Sequence, residues 1–470
     1  MWEKKTVNNN LIKDENMYDV IVIGAGPAGY EVASLLGSGG KSVCIIDKNE
    51  SRIGGTCLNE GCVPAKNFLE TASFIKKSAY FQKCGVDLTI NSFDIAALKK
   101  NTNCLITDLT DGILGKLKKA KVEIKYGTAS FLDETTIKIS GENEETISAK
   151  HIVIASGSTH RNHPLMDLVE DRIISSKEVF ELNSIPESVL VIGGGAIGCE
   201  FATFFKSLGS AVDIAEFTPR LVPIEDDDIA RTLKRELEKQ GMNIYLKSNV
   251  TAYDVKEDGV EVTLDLGKKT EVKKYDKVLI SIGRNPNTAD LDLDTGIITS
   301  DRGFVLVDEN LKSISNMNVY AIGDVIPTPA LAHVAYYEAK RVAAILLGEE
   351  AMAEKTIFPS VTFCTPQIAS IGQSERVLKE AGVDFKAKKI FFKINGKAKI
   401  KGDDSGFVKI IHETQSGKIL GAAIIGNDAT ELIHEFLVAI NAGLTVDDLS
   451  KMIFAHPTLS ETILDLVSAH

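Results

Sequence analysis

The chain has 470 residues, 44% hydrophobic and 25% charged, with a formal net charge of −12 at pH 7. That length predicts about three domains, and the acidic balance argues against a nucleic-acid footprint, which needs clustered lysine and arginine. No run of about 18 apolar residues exists, so no segment is expected to span a membrane.

In chain order, residues 1–16 are polar, lack an apolar signal-peptide core and are expected to form a flexible tail. Tyr18–Ile23 (YDVIVI) is short, apolar and β-branched, which predicts a buried parallel strand. It runs into Gly24-Ala25-Gly26-Pro27-Ala28-Gly29 and a helical stretch to Leu36, and Lys41–Asp47 reads as the next strand. Gly24 suits the tight turn, Gly26 the close approach of a pyrophosphate, and Gly29 the packing of helix on strand. The helix N-terminus suits the phosphates, and Asp47, about 20 residues on, suits a ribose hydroxyl.

The segment Gly54-Gly55-Thr56-Cys57-Leu58-Asn59-Glu60-Gly61-Cys62-Val63-Pro64-Ala65-Lys66 follows. A disulfide across so short a loop removes little chain entropy, so it serves poorly as a staple. Beside a bound redox cofactor the pair reads as a redox-active dithiol. The bare spacing is also compatible with two reduced cysteines in a turn. Seven cysteines, otherwise scattered and odd in number, fit a reducing cytoplasm. A zinc site is not expected, because no second closely spaced ligand pair accompanies Cys57 and Cys62. Lys66 is placed to set a cation beside the cofactor or a thiolate, although a solvated helix lysine fits the same position.

Lys121–Gly127 and Thr135–Ser140 read as strands of a small sheet, and His151–Ala155 as a buried strand followed by Ser156-Gly157-Ser158. Ser188–Ile192, the loop Gly193-Gly194-Gly195-Ala196-Ile197-Gly198, a helix to Leu208 and the strand Ala211–Glu216 repeat the first unit. A carboxylate at Glu216 binds a 2′-hydroxyl and repels a 2′-phosphate, which favours NAD over NADP. Glu200, just after this loop, is expected to pair with Lys66. Two nucleotide sites plus a dithiol imply an electron relay, for which a flavin is the natural intermediary. Val278–Ile282 before Gly283-Arg284, and Val319–Ile322 before Gly323-Asp324, read as the chain leaving the second domain and rejoining the first. From about Phe358 the texture becomes α+β. Strands are expected at Phe391–Ile394, Phe407–His412 and Ile419–Ile425, and helices at Ala429–Ala442 and Glu461–His470. His456, with Glu461 one turn into the last helix, suits a general base; a capping His-Pro turn is the alternative.

Taken in order, GAGPAG, GGTCLNEGCVPAK, GGGAIG, AIGD and AHPTLSE resemble the pyridine nucleotide–disulfide oxidoreductase family from about Tyr18 to Glu461. The resemblance implies an α/β fold of two Rossmann-like dinucleotide-binding domains, for FAD and NAD, plus a C-terminal α+β dimerisation domain. The expected parse is an FAD-binding domain over 17–160, an NAD-binding domain over 161–284, a return to the FAD or central domain over 285–356, and dimerisation over 357–470. The family further implies a homodimer in which Cys57 exchanges with substrate and Cys62 faces the flavin as a charge-transfer thiolate. His456, oriented by Glu461, would then reach the other subunit's dithiol. Flavin contacts are implied for Gly24, Gly26, Pro27, Ala28, Gly29, Asp47, Lys48, Gly55, Thr56, Lys66, Gly127, Ser156, Gly157, Arg284, Gly323, Asp324, Leu331, Ala332 and His333. Cofactor contacts are further implied for Gly193, Gly195, Ala196, Ile197, Gly198, Glu216, Val250 and Gly283, and for Glu200, which with Lys66 would lie near the flavin.

Within the family, CLN in the cysteine motif and Ala330-Leu331-Ala332-His333 are similar to the branch that oxidises dihydrolipoamide with NAD+. Phe454 stands where that branch usually has His, and Tyr336 and Tyr337 stand where acidic residues are common. No lipoyl domain precedes the first loop, so a lipoyl group is expected to come from a partner protein. Two other functions fit the same chain: an NAD(P)H-dependent reductase of another disulfide, and a non-catalytic flavoprotein scaffold.

Overall fold

The computed structural model describes residues 17–142, 144–169, 171–293, 296–297, 299–350, 352–353 and 357–468. The tail expected over 1–16 and the last two residues of the expected helix Glu461–His470 lie outside these. The chain divides into two compact units.

The first unit takes the chain up to Asn59, then Asp108–Thr159 and Asn285–Ala353. Its seven-stranded sheet runs in the order Glu123–Tyr126, Val43–Asp47, Met17–Ile23, Glu145–Ile154, Thr136–Ser140, Thr128–Phe131, with Val319–Ala321 also paired to Glu145–Ile154. Val20, Ile21 and Val22 are all buried without alternation, as befits a parallel strand covered on both faces. The small sheet expected for 121–140 is not separate. Glu123–Tyr126 is a parallel edge strand on Val43–Asp47, and Thr136–Ser140 runs antiparallel beside Glu145–Ile154. The reason is the length of Glu145–Ile154: its first half pairs with Thr136–Ile139, while His151–Ile154 pairs in parallel with Val20–Ile23 and Val319–Ala321 pairs with Ile152–Ile154. The chain therefore rejoins this sheet at Val319.

The second unit takes Glu60–Thr107, His160–Arg284 and the chain from 354 onward. A five-stranded parallel sheet has the order Asn243–Leu246, Ala211–Glu216, Ser188–Ile192, Lys277–Ile280, Ile173–Ser175. An antiparallel meander, Asn249–Lys256, Gly259–Asp265 and Thr270–Tyr275, follows in sequence. The C-terminal sheet orders Ser360–Thr362, Gln367–Gly372, Ile419–Gly426, Phe407–Glu413 and Phe385–Phe391, all antiparallel, with the helix Ala429–Asn441 in the same core. The strand expected at Phe391–Ile394 ends at Phe391; Phe392–Ile394 is a tight helical turn. Phe392 turns into the core, and the Asn395 side chain accepts the Ala398 N–H at 3.0 Å to start the next helix. Two long helices, Cys62–Lys83 and Ile95–Lys119, follow the cysteine motif, joined by residues 84–94.

Candidate active site

In the first unit, the Asp47 carboxylate accepts N–H bonds from Ala25 (2.6 Å) and Lys48 (2.7 Å). Burial pushes its pKa up, against those bonds and the charges of Arg52 and Lys48. The helix Pro27–Ser38 starts after Gly26 with no side chain capping it, so its first amides remain available to phosphate oxygens. A Cβ on Gly29 would lie 1.8 Å from Gly24 O, which explains the glycine there. These features fit a dinucleotide pyrophosphate. Further along, Ser158 Oγ donates to Asp324 at 2.5 Å, and the Gly323 N–H donates to buried Glu338 at 2.6 Å. Ser156 Oγ donates to Asn287 O at 2.7 Å, and a Cβ on Gly157 would meet open space. The expected contact Gly127 donates its N–H to Asp47 O (2.9 Å) and is closely packed on Ile139, while Lys48 pairs with Asp290 at an exposed 3.0 Å. Leu331 precedes the helix Ala332–Leu347, on whose first turn His333 is exposed.

The dithiol segment is seated on this loop. Gly54 N–H donates to Ala25 O at 2.9 Å, and a Cβ on Gly55 would lie only 2.6 Å from Gly26 Cα. Gly55, Thr56 and Cys57 form a short helix, Gly55–Asn59, stapled by the Asn59 amide to Ile53 O (3.0 Å) and Gly55 O (2.9 Å); Cys57 is half-buried.

In the second unit, exposed Cys62 opens the 22-residue helix Cys62–Lys83. A thiolate at that position is favoured by the helix dipole. Lys66, one turn on, meets both oxygens of Glu200 at 3.1 and 3.0 Å and lies 4.6 Å from the centre of the Phe363 ring. Glu200 is 5% exposed and also accepts the Phe363 N–H at 2.8 Å, so the buried carboxylate is fully engaged. The second glycine loop repeats the first. Glu216 accepts N–H bonds from Gly194 (2.5 Å) and Thr218 (2.7 Å). The helix Ala196–Ser207, which carries Ala196, Ile197 and Gly198, has no side-chain cap, and a Cβ on Gly195 would meet open space. This too fits a dinucleotide. Val250 is packed in the core with Val260, Val262 and Leu264 rather than on an open face. The backbone oxygens of Gly283 and Arg284 receive Arg161, the first from its N–H at 2.9 Å.

At the C-terminal end, His456 Nδ1 lies 2.8 Å from Glu461 Oε1, and Glu461 Oε2 accepts the Thr458 N–H at 2.8 Å. Glu461 is the first residue of the helix Glu461–Ser468, not one turn inside it. The Thr458 N–H, and then His456, hold its carboxyl below the usual range. With Nδ1 donating to the carboxylate, Nε2 is left as the base. The His456 side chain is 81% exposed in the single chain. Among the described residues no His/Cys/Asp/Glu group is arranged to hold a metal, and no helix is long and apolar enough to cross a membrane.

Sequence reasoning missed three features. Tyr30 and Tyr336 are joined hydroxyl to hydroxyl, Glu338 supports the Gly323 turn, and Phe363 shares Glu200 with Lys66. Glu338 carried a local hint, as a carboxylate on a mostly apolar helix face, and Tyr336 stood out only as a departure from the pattern of the family.

Residues 18–339 match the family described as pyridine nucleotide-disulphide oxidoreductase, and residues 358–467 match its dimerisation domain. The chain is 37% identical to the mitochondrial dihydrolipoyl dehydrogenase of Pisum sativum, covering 97% of this chain and 91% of that protein. It is 35% identical to the dihydrolipoyl dehydrogenase of Geobacillus stearothermophilus over 95% of each. A leghemoglobin reductase of Glycine max is 36% identical, with 97% of this chain and 88% of that protein covered. Among solved structures, LpdA of Mycobacterium tuberculosis superposes with a TM-score of 0.88 at 25% identity, covering 95% of this chain and 98% of that one. The HOCl-induced flavoprotein disulfide reductase RclA of Escherichia coli superposes with a TM-score of 0.86 at 27% identity, covering 96% and 99%.

Proposed function

The chain belongs to the pyridine nucleotide–disulphide oxidoreductase family, and from that premise we propose that it oxidises dihydrolipoamide to lipoamide while reducing NAD+ to NADH and releasing one proton. The observation that carries the reading is the seat of the Cys57 helix on the first nucleotide loop, at Gly55 against Gly26. The dihydrolipoyl dehydrogenases of Pisum sativum and Geobacillus stearothermophilus supply the substrate class. The accompanying parse is 17–160 with 285–356 for FAD, 161–284 for NAD, and 357–470 for pairing of two copies. The lipoyl group arrives free or on a partner protein.

His456 Nε2 takes the proton of the first substrate thiol while Glu461 steadies Nδ1. The substrate thiolate attacks Cys57 Sγ, the Cys57–Cys62 bond breaks, and the electron pair goes to Cys62 at its helix N-terminus. The second substrate thiol then loses its proton to solvent and attacks the sulfur bonded to Cys57, the lipoyl ring closes, and Cys57 leaves as a thiolate. Bound FAD would supply the relay of the electron pair from the reduced dithiol to NAD+ as a hydride. Asp47 and the amides of Pro27–Ser38 would hold the flavin nucleotide; Glu216 and the amides of Ala196–Ser207 would hold NAD+. Lys66, fixed by Glu200, keeps a positive charge one turn from Cys62. A base as exposed as His456 needs a second copy to enclose it, and the dimerisation domain offers one.

Steady-state turnover tests the reading. Dihydrolipoamide with NAD+ is expected to outrun NADH or NADPH with a panel of disulfides. The opposite ranking would establish the second reading, reduction of another disulfide, which has the likeness to RclA in its favour.

A further inference from the structure

We infer that the hydrogen-bonded pair Tyr30–Tyr336 is a positioning device for the exchange cysteine, holding a neutral phenol beside Cys57 so that the thiolate released there during ring closure is stabilised. Its part in turnover rests on the dithiol–disulfide reading above; its effect on Cys57 rests on the seat of Gly55 on Gly26 and on the electrostatic interaction between Tyr30 and Cys57.

Tyr30 stands one turn into the helix Pro27–Ser38, and its N–H donates to Gly26 O at 3.0 Å. Gly26 is the residue on which Gly55 packs, two positions before Cys57. The same close approach therefore brings the first turn of the Tyr30 helix to the helix that carries Cys57. Tyr336 comes from the helix Ala332–Leu347, 306 residues away. The two hydroxyls are hydrogen-bonded, and the rings meet edge-on with centroids 6.0 Å apart at 62°. Anchored at both ends, the Tyr30 ring loses the rotamer freedom that a lone phenol on a helix would keep. Its acidity is pushed far down by burial, then by the Tyr336 bond, with smaller contributions from charge on Cys57 and Glu31. Tyr30 thus stays protonated beside Cys57 and acts as a fixed O–H dipole.

That dipole matters in one step. When the lipoyl ring closes, an S–S bond forms between the two substrate sulfurs, the substrate–Cys57 bond breaks, and the electron pair remains on Cys57 Sγ. Sulfur exchange is faster when the leaving thiolate is better stabilised, and a preorganised dipole supplies that without reorganisation.

The test is a double-mutant cycle on the FAD-loaded enzyme with Tyr30→Phe, Tyr336→Phe and both together. Each single change deletes one hydroxyl and keeps the ring. Each is expected to lower kcat with dihydrolipoamide about 3- to 10-fold, the usual worth of one hydrogen bond, with KM unchanged. Each should also slow alkylation of reduced Cys57 by iodoacetamide to a similar extent. The double variant should be no worse than the poorer single, because both break the same link. Additive losses, or alkylation at the wild-type rate in Tyr30→Phe, would overturn the inference. So would an equal loss in NADH oxidation by an artificial acceptor, which bypasses Cys57. Should Tyr336→Phe fail to fold, Tyr30→Phe alone still decides on alkylation. Absence of dithiol turnover in the wild type would sink the proposed function instead, while the alkylation rates would still judge the pair.

Discussion

In the first glycine loop Asp47 accepts the N–H groups of Ala25 and Lys48, and in the second Glu216 accepts those of Gly194 and Thr218. Both loops leave the following helix uncapped by any side chain, and both bury the third glycine against the first. What differs is the next turn of helix. After the first loop it carries Tyr30, beside the Cys57 helix; after the second it carries Glu200, which binds Lys66. The repeat thus gives two loops of one kind, each fit for a nucleotide, while the residues six or seven positions beyond each first glycine differ. Two copies of a motif with the same backbone physics can serve different electron carriers because the motif engages only the phosphates and ribose that those carriers share.

The largest test of this division lies outside both loops. His456→Gln should slow dithiol turnover roughly 10²–10⁴-fold, the usual worth of a positioned base, and should sharply lower the ratio of dithiol turnover to NADH oxidation by an artificial acceptor. Mixing that variant with Cys57→Ser under conditions that exchange subunits should restore turnover, since one site of the hybrid then holds both groups. No recovery in demonstrated hybrids would mean that the base acts within its own chain.

Next in size are matched changes of the third glycines. A Cβ at Gly29 would lie 1.8 Å from Gly24 O, and one at Gly198 would lie 2.0 Å from Gly193 O. Such overpacking costs about 1–3 kcal/mol, roughly 5- to 150-fold in binding. Gly29→Ala should purify depleted of flavin, whereas Gly198→Ala should stay yellow and show a raised KM for NAD+. The reverse pattern, read from the visible spectrum and the KM, would exchange the two assignments.

A smaller effect separates the two carboxylates. NAD+ should be preferred over NADP+ by about an order of magnitude or more, because a phosphate against Glu216 meets like charge. Glu216→Ala should narrow the ratio of kcat/KM values for the two cofactors. Asp47→Ala should instead reduce flavin content and leave that ratio unmoved.

The smallest effect on activity is expected at Glu225, nine residues beyond Glu216. Its side chain is buried against Ser370 (3.1 Å) and Ser360 (3.5 Å), and burial raises its pKa from 4.5 to about 7. The folded state therefore holds this proton longer than the unfolded state does. The group's contribution is most favourable below the unfolded value and is lost as pH rises through about 7. Glu225→Gln should stabilise the protein at pH 8 by about 1–3 kcal/mol more than at pH 5. Denaturant unfolding at the two pH values checks it, and an equal difference at both would remove Glu225 as the cause.

Local pattern determined a good deal. The strands Ser188–Ile192 and Ala211–Glu216 end where their apolar runs end, and both glycine loops sit at strand-to-helix turns, because backbone propensity, glycine and short-range periodicity act within a few residues. His456 and Glu461 were legible together because five residues at a helix start bring them into reach. The sheet to which 121–140 belongs was not legible, since register is set by the partner strand Glu145–Ile154 and not by the segment itself. Phe392–Ile394 read as strand until the core claimed Phe392. The Lys66–Glu200 pair, 134 residues apart, was expected and is present, whereas only tertiary structure joined Tyr30 to Tyr336 across 306 residues. Those contacts depend on which helix faces meet, and chain entropy leaves so distant a pair unspecified until packing of the whole unit brings those faces together.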